Sequence, residues 1–310
     1  MGDLAVKVAG LTHRYGERVA LHELNFDVNA GEIVALLGPN GSGKTTLFRV
    51  LSTIMRPQDG LAEIYGLNVA GSRNEVRRLL GVVFQNPSLD KELTAEENLR
   101  YHGHLFGLGG AELESRIKDL LGRVDLLDRA GERVKSFSGG MRRRVEIAKG
   151  LINRPRLLLL DEPSTGLDPV ARADVWRYLS EVRQRDGVTV LMTTHLMDEA
   201  DRCDRVTILD AGRMVADGSP ATLKENVGGD VILLTTSDPE KARALLQQKL
   251  NIDTVEVSGR TLRFERPRGH ELVPAVIEAI TGLADSIAVG KPTLEDVFIR
   301  ATGHEFNSSV

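Results

Sequence analysis

The apolar run Glu32–Leu37 passes without a spacer into Gly38-Pro39-Asn40-Gly41-Ser42-Gly43-Lys44-Thr45, and a helical stretch, Thr45–Ile54, follows at once. A strand that ends on glycines and turns directly into a helix points backbone N–H groups inward at the positive end of that helix. The fixed glycines, Gly38 and Gly43, complete the spacing of a phosphate-cradling loop. In such a loop Lys44 supplies a flexible positive charge for β- and γ-phosphates, and the Thr45 hydroxyl is placed to ligate Mg²⁺. A glycine-rich turn without a ligand is the plainer alternative. The full spacing, set between a strand and a helix, argues against it.

The neighbouring sequence alternates in the same manner. Leu4–Val8, Phe26–Val28, Ala62–Tyr65 and Gly81–Phe84 read as strands. From about residue 86 to 152 the period becomes helical: Ala95–Phe106, Ala111–Val124 and Gly139–Ile152 carry apolar residues at three- and four-residue spacing. Leu157–Leu160 is fully apolar, as a buried parallel strand requires. Helix Val170–Arg185 and strands Thr189–Thr193 and Arg205–Leu209 complete an α/β core with a helical insert.

Beyond a hinge at Asn226-Val227-Gly228-Gly229 the order is strand Val231–Thr235, helix Pro239–Lys249, strand Thr254–Val257, strand Thr261–Glu265, helix Glu271–Ile280 and strand Asp285–Val289. This β-α-β-β-α-β order predicts a small α+β domain of the ferredoxin-like type over 227–310. It follows an α/β domain over 1–226, whose helical subdomain spans about 86–152.

Two more segments carry chemistry. Asp161-Glu162 ends the apolar run, and adjacent strand residues point to opposite sides. Asp161 therefore suits a Mg²⁺ shell beside Thr45, and Glu162 suits polarisation of an attacking water. Alone, the pair would read as a solvated strand end. Phe137-Ser138-Gly139-Gly140-Met141 precedes a helix, where Ser138 would serve as an ordinary N-cap. The same helix end, with free N–H groups and a hydroxyl, is also an anion site.

In this order the elements resemble the ABC ATPase family, over about residues 4–226. The resemblance implies a P-loop core in which Gly38–Thr46, Thr46 included, binds ATP. Ser138, Gly139 and Gly140 would read the γ-phosphate of ATP held by the other subunit. It further implies that Tyr15 stacks on adenine and that Gln85 touches Mg²⁺ and senses a membrane partner. His195 would contact the γ-phosphate, and Ser164–Asp168 would form the loop by which two subunits sense each other. Without the resemblance, Tyr15, Gln85 and His195 would read as ordinary structural residues. The family usually has leucine where Phe137 stands and glutamine where Met141 stands; neither supplies the hydroxyl or the backbone donors. Arg142-Arg143-Arg144 fan over most of a helical turn, so they read as solvated surface, with at most one arginine meeting a partner subunit.

The net charge of -4 shows no basic bias, so nucleic acid is not expected as a partner. Cys203 is the single cysteine, which excludes a disulfide framework and fits a reducing cytoplasm. Met1-Gly2-Asp3-Leu4 does not open like a secretion signal. No apolar run approaches the roughly 18–20 residues that cross a bilayer. Any path through a membrane would belong to an integral membrane permease, with this chain at the cytoplasmic face.

Pro292-Thr293-Leu294-Glu295-Asp296-Val297-Phe298 resembles the tail of ATP-binding subunits of daunorubicin-resistance-type drug exporters. The expectation is ATP hydrolysis powering export, by a dimer with itself or a close relative. The alternative is a soluble ABC ATPase acting on nucleic acid or ribosomes. Those proteins usually carry two ATPase units or a long coiled-coil insert, and this chain has neither. A nucleotide-binding regulator without hydrolysis would have no use for Glu162, Gln85 and His195 together.

Overall fold

The computed structural model describes residues 3–306. Met1, Gly2 and positions 307–310 lie outside the described residues, with the parts of the N-terminal and tail expectations that fall on them.

The apolar runs form a six-stranded sheet in the order Arg213–Gly218, Arg205–Asp210, Ile33–Leu37, Thr189–Thr194, Leu157–Asp161, Leu80–Val83. Ile33–Leu37 pairs in parallel with Thr189–Thr194 and Arg205–Asp210. Leu157–Asp161 pairs in parallel with Leu80–Val83 and Thr189–Thr194. Three of these strands are buried from end to end, which is why their sequences do not alternate. Parallel pairing brings their carboxyl ends to one edge, the edge at which open α/β sheets hold ligands.

A second sheet, Arg18–Asn29, Leu4–Tyr15, Asp59–Ile64 and Leu67–Asn68, pairs antiparallel. Its inner face, including Val6, Leu11 and Leu21, shares a core with Leu47 and Phe48 of helix Lys44–Leu51. The first two strands each run for 12 residues, well beyond the expected Leu4–Val8 and Phe26–Val28. Register shifts between Val8 and Leu11 and again up to Arg14 break the two-residue rhythm that would have revealed their length. The insert consists of helices Ala95–Leu105, Gly110–Arg123 and Gly139–Gly150, the first opened by a capping box between Thr94 and Glu97.

The chain divides into two compact units between Asp217 and Gly218, ahead of the Asn226–Gly229 hinge. Helix Pro220–Glu225, capped by Ser219, lies in the second unit and packs there against helix Leu294–Thr302. The second unit's sheet runs Glu256–Ser258, Thr261–Arg266, Asp230–Thr236, Ala284–Gly290, with every pair antiparallel. Helices Pro239–Leu250 and Gly269–Ala279 bury Leu246 and Val276 against Ile232, Leu234, Leu262 and Phe264. This is the β-α-β-β-α-β arrangement expected of a ferredoxin-like domain.

Candidate active site

The loop Gly38–Thr46 leaves strand Ile33–Leu37 and enters helix Lys44–Leu51. Gly43 has φ 103°, and a Cβ there would lie 2.7 Å from the Ala20 carbonyl oxygen, so both conformation and space demand glycine. Lys44 is buried, and its Nζ donates to the carbonyl oxygens of Gly38 (2.7 Å) and Pro39 (2.9 Å). Burial pulls the Lys44 pKa down, while Glu162 and Asp161 push it back up. Over the loop opens a cleft of about 310 Å³ lined by Tyr15, Arg18, Asn40, Lys44, Thr45 and Glu162, among others. Tyr15 stands at its margin, 46% exposed, with its hydroxyl donating to Met55 Sδ.

The ends of three neighbouring strands converge on Glu162. Gln85, following Leu80–Val83, donates from Nε2 to Glu162 Oε2 at 3.0 Å. His195, following Thr189–Thr194, places Nδ1 3.3 Å from Oε1 of the same carboxylate. The Thr165 hydroxyl donates to Oε2 at 3.0 Å. Thr193 braces both acids: its carbonyl and hydroxyl oxygens accept from Glu162 N, and its hydroxyl donates to Asp161 Oδ1 at 2.6 Å. Asp161 is buried, and burial pushes its carboxyl up from the ordinary range.

The two acids part company by a different device from the pleat expected of them. The strand ends at Asp161, and Glu162 sits at φ 46°, in left-handed backbone.

Ser138, Gly139 and Gly140 do not line this cleft. They open helix Gly139–Gly150, where the Ser138 hydroxyl accepts from Met141 N. A Cβ on Gly140 would lie 2.6 Å from the Ala171 Cβ. Asp168 caps helix Pro169–Asp186 by accepting from Ala171 N at 2.9 Å. The two departures from the family pattern pack together through Arg129, whose guanidinium lies over the Phe137 ring and donates to Met141 Sδ.

The arginine run is not solvated surface. Arg143 is only 7% exposed and bonds to backbone at the ends of two sheet strands. Arg142 and Arg144 are half-buried and donate to the carbonyls of Lys135 and Val124. A helical wheel drawn for one isolated helix cannot show that the sheet edge closes over part of it. Also missed were Thr193, which braces both acids, the bond to Glu162 from Thr165, read only as part of the Ser164–Asp168 loop, and Arg18 and Arg49, which line the cleft. The threonine beside Ser164 and the polar break in an apolar strand were their only signals in sequence.

A carboxylate held beside a phosphate loop, with an amide and an imidazole at its two oxygens, is an arrangement for nucleoside triphosphate hydrolysis, and the class is a P-loop ATPase with a helical insert. The ABC transporter family profile matches residues 21–165. The chain is 41% identical to the daunorubicin resistance ATP-binding protein DrrA3 of Streptomyces coeruleorubidus, over 98% of each. It is 40% identical to the Nod factor export ATP-binding protein I of Rhizobium johnstonii, over 98% of this chain and 97% of that one. Among solved structures, the dimeric ATP-binding cassette MJ0796 bound to ADP and Pi is 30% identical, with a TM-score of 0.62 over 69% of this chain and 98% of that one. The chain belongs to the ABC transporter family, and it is an ATP-binding, ATP-hydrolysing subunit of an exporter.

Proposed function

We propose that two copies of this fold, identical or closely related, close around ATP and so drive export through a separate integral membrane permease. The observation that carries this reading is the convergence of Gln85 and His195 on Glu162 from separate strand ends. A general base needs its carboxylate aimed, and an exposed amide at the same carboxylate offers a route by which a partner's movement reaches it.

In this reading Tyr15 stacks on the adenine, the N–H groups of Gly38–Thr46 hold the phosphates, and Lys44 meets the β- and γ-phosphates as a point charge. Glu162 accepts the proton of the attacking water, and His195 contacts the γ-phosphate. Ser138, Gly139 and Gly140 cover the ATP held by the other subunit. The resulting two sites are related by two-fold symmetry. Asp168 faces the dimer contact.

Among the described residues no three His, Cys, Asp or Glu side chains gather into a metal site of their own. Mg²⁺, which keeps several waters and substrate oxygens, asks for no such cluster. Thr45, Asp161 and Gln85 would hold it, and a cation there would offset the burial that raises the Asp161 carboxyl. When bound, the ion neutralises charge on the phosphate oxygens.

Among the described residues no helix is long and apolar enough to cross a membrane. In this reading the chain works at the cytoplasmic face through its permease, and the permease sets the cargo. Nucleic acid has no part in this cycle.

Mixing two defective subunits tests the shared sites. Lys44→Ala should bind no ATP tightly, and Ser138→Arg should bind ATP but not turn it over. In a mixed dimer one site combines both defects and the other has neither. Partial hydrolysis is expected to return on mixing, measured as phosphate release; no return would argue against composite sites.

A further inference from the structure

Helix Gly139–Gly150 carries a row of buried charges that the proposed cycle leaves unused. Arg143, Glu146 and Lys149 are each less than 9% exposed and follow one another at three-residue spacing, on one face of the helix. That face meets the segment Phe84–Ser88, which contains Gln85. Glu146 Oε1 accepts from Ser88 N at 2.6 Å, and Lys149 Nζ donates to the Ser88 carbonyl and hydroxyl oxygens at 2.9 and 2.6 Å.

The arginine has the widest reach. All five of its N–H donors are used. Nε donates to the Pro163 carbonyl at 2.7 Å, Nη1 to the Phe84 carbonyl at 2.7 Å and to Glu146 Oε2 at 3.0 Å. Nη2 donates to the carbonyls of Asp161 at 2.9 Å and Glu162 at 3.1 Å. One guanidinium thus grips three consecutive carbonyls around Glu162 and the residue before Gln85. An ion pair with Glu146 alone would use one or two donors, and a buried ion pair is in any case a poor source of stability compared with packed apolar side chains. What the other four bonds fix is backbone. Glu162 sits in left-handed backbone, a conformation that persists in a non-glycine residue only where its surroundings over-determine it.

We propose that Arg143 is a positioning residue for ATP hydrolysis, holding Glu162 and Gln85 in register with the helix that begins at Ser138. The same helix would then present its N-terminus to the neighbouring subunit's ATP and its Arg143 to the hydrolytic centre of its own. The proposal rests on the roles given above to Glu162 and Gln85.

The test compares Arg143→Gln with Glu146→Gln in the full chain, following ATP affinity by calorimetry, steady-state kcat and KM, and thermal melting. Arg143→Gln is expected to lower kcat about 10²-fold, the scale of a misplaced reacting group, while KM and Kd for ATP stay within about threefold. Glu146→Gln breaks the ion pair but leaves the four carbonyl contacts, and it is expected to keep kcat within about threefold of the wild type. Equal losses of kcat in both variants, a fall in ATP affinity that parallels the fall in kcat, or wild-type kcat in Arg143→Gln would each overturn the proposal. Arg143→Lys, which keeps the buried charge, replaces the neutral variant should that one not fold, and the same split is expected of it. A wild-type chain that neither binds nor hydrolyses ATP would instead sink the reading of the site itself.

Discussion

Buried charge in the second unit and buried charge at the sheet edge of the first have opposite results. In the second unit the buried charges answer one another. Arg263 bonds to Asp296 at 3.1 Å, to Glu256 at 2.9 Å and to Glu265 at 3.0 Å, and the Asp296 carboxylate also accepts from the backbone N and hydroxyl of Thr293 at 2.7 Å. Asp230 is held by Lys291 at 2.7 Å, and that bond draws its carboxyl below the ordinary range. At the edge of the parallel sheet the signs reverse. Burial pushes the Asp161 carboxyl up and the Lys44 ammonium down, and Lys44 donates to carbonyls of its own loop. Charges that protein neighbours neutralise hold elements together. Charges left strained by desolvation are poised for a charged substrate.

Three changes would break or sharpen that contrast. The largest effect is expected from Glu162→Gln, which keeps the shape and loses the basic oxygen. Turnover should fall about 10²–10⁴-fold while ATP still binds. Wild-type steady-state hydrolysis would show that another group orients the water.

Arg263→Ala should act on stability instead. It leaves the buried Asp296 carboxylate facing an unfilled site, and breaking a buried pair in this way is worth about 3–5 kcal/mol. Denaturant unfolding should register that loss in the second unit, with ATP affinity unchanged. A matching loss of ATP binding would make this cluster part of the nucleotide site.

The smallest effect is expected from a chain ending at Gly218, which retains the loop, the acids and strand Arg213–Gly218 whole. It should fold and bind ATP as the full chain does, by melting with and without Mg-ATP. Lost binding together with a large fall in melting temperature would erase the distinction between the units.

The parts of this molecule that were legible in sequence are those whose causes are local. Glycine spacing at 38–43 names the loop because few backbones can cradle a phosphate, and Leu157–Leu160 names its strand because both faces are buried. Parts fixed by contacts distant in sequence were not legible. Arg143 looks like its two neighbours until the strand ends bearing Phe84 and Asp161 are brought against it. The left-handed turn at Glu162 leaves no mark on a residue type that rarely adopts it. The tail was read as a motif rather than an element, although Thr293 and Asp296 have the spacing of a capping box and do open helix Leu294–Thr302. The unit boundary was set at a glycine pair, whereas the preceding helix already belongs to the second unit.

The close approach of Gly140 to Ala171 has a consequence for how this protein can vary. Because a Cβ at 140 would come within 2.6 Å of the Ala171 methyl, the separation of two helices inside one subunit limits position 140 before any phosphate does. Positions 140 and 171 are therefore epistatic. Gly140→Ala is a damaging change beside Ala171 and a milder one once Ala171→Gly has removed the opposing methyl, so the order in which two such changes arise decides whether a lineage can pass through them. The second helix starts at the Asp168 cap, so any shift that makes room at 140 also moves that loop. The two segments, given different parts in the proposed cycle, are thereby bound to drift together.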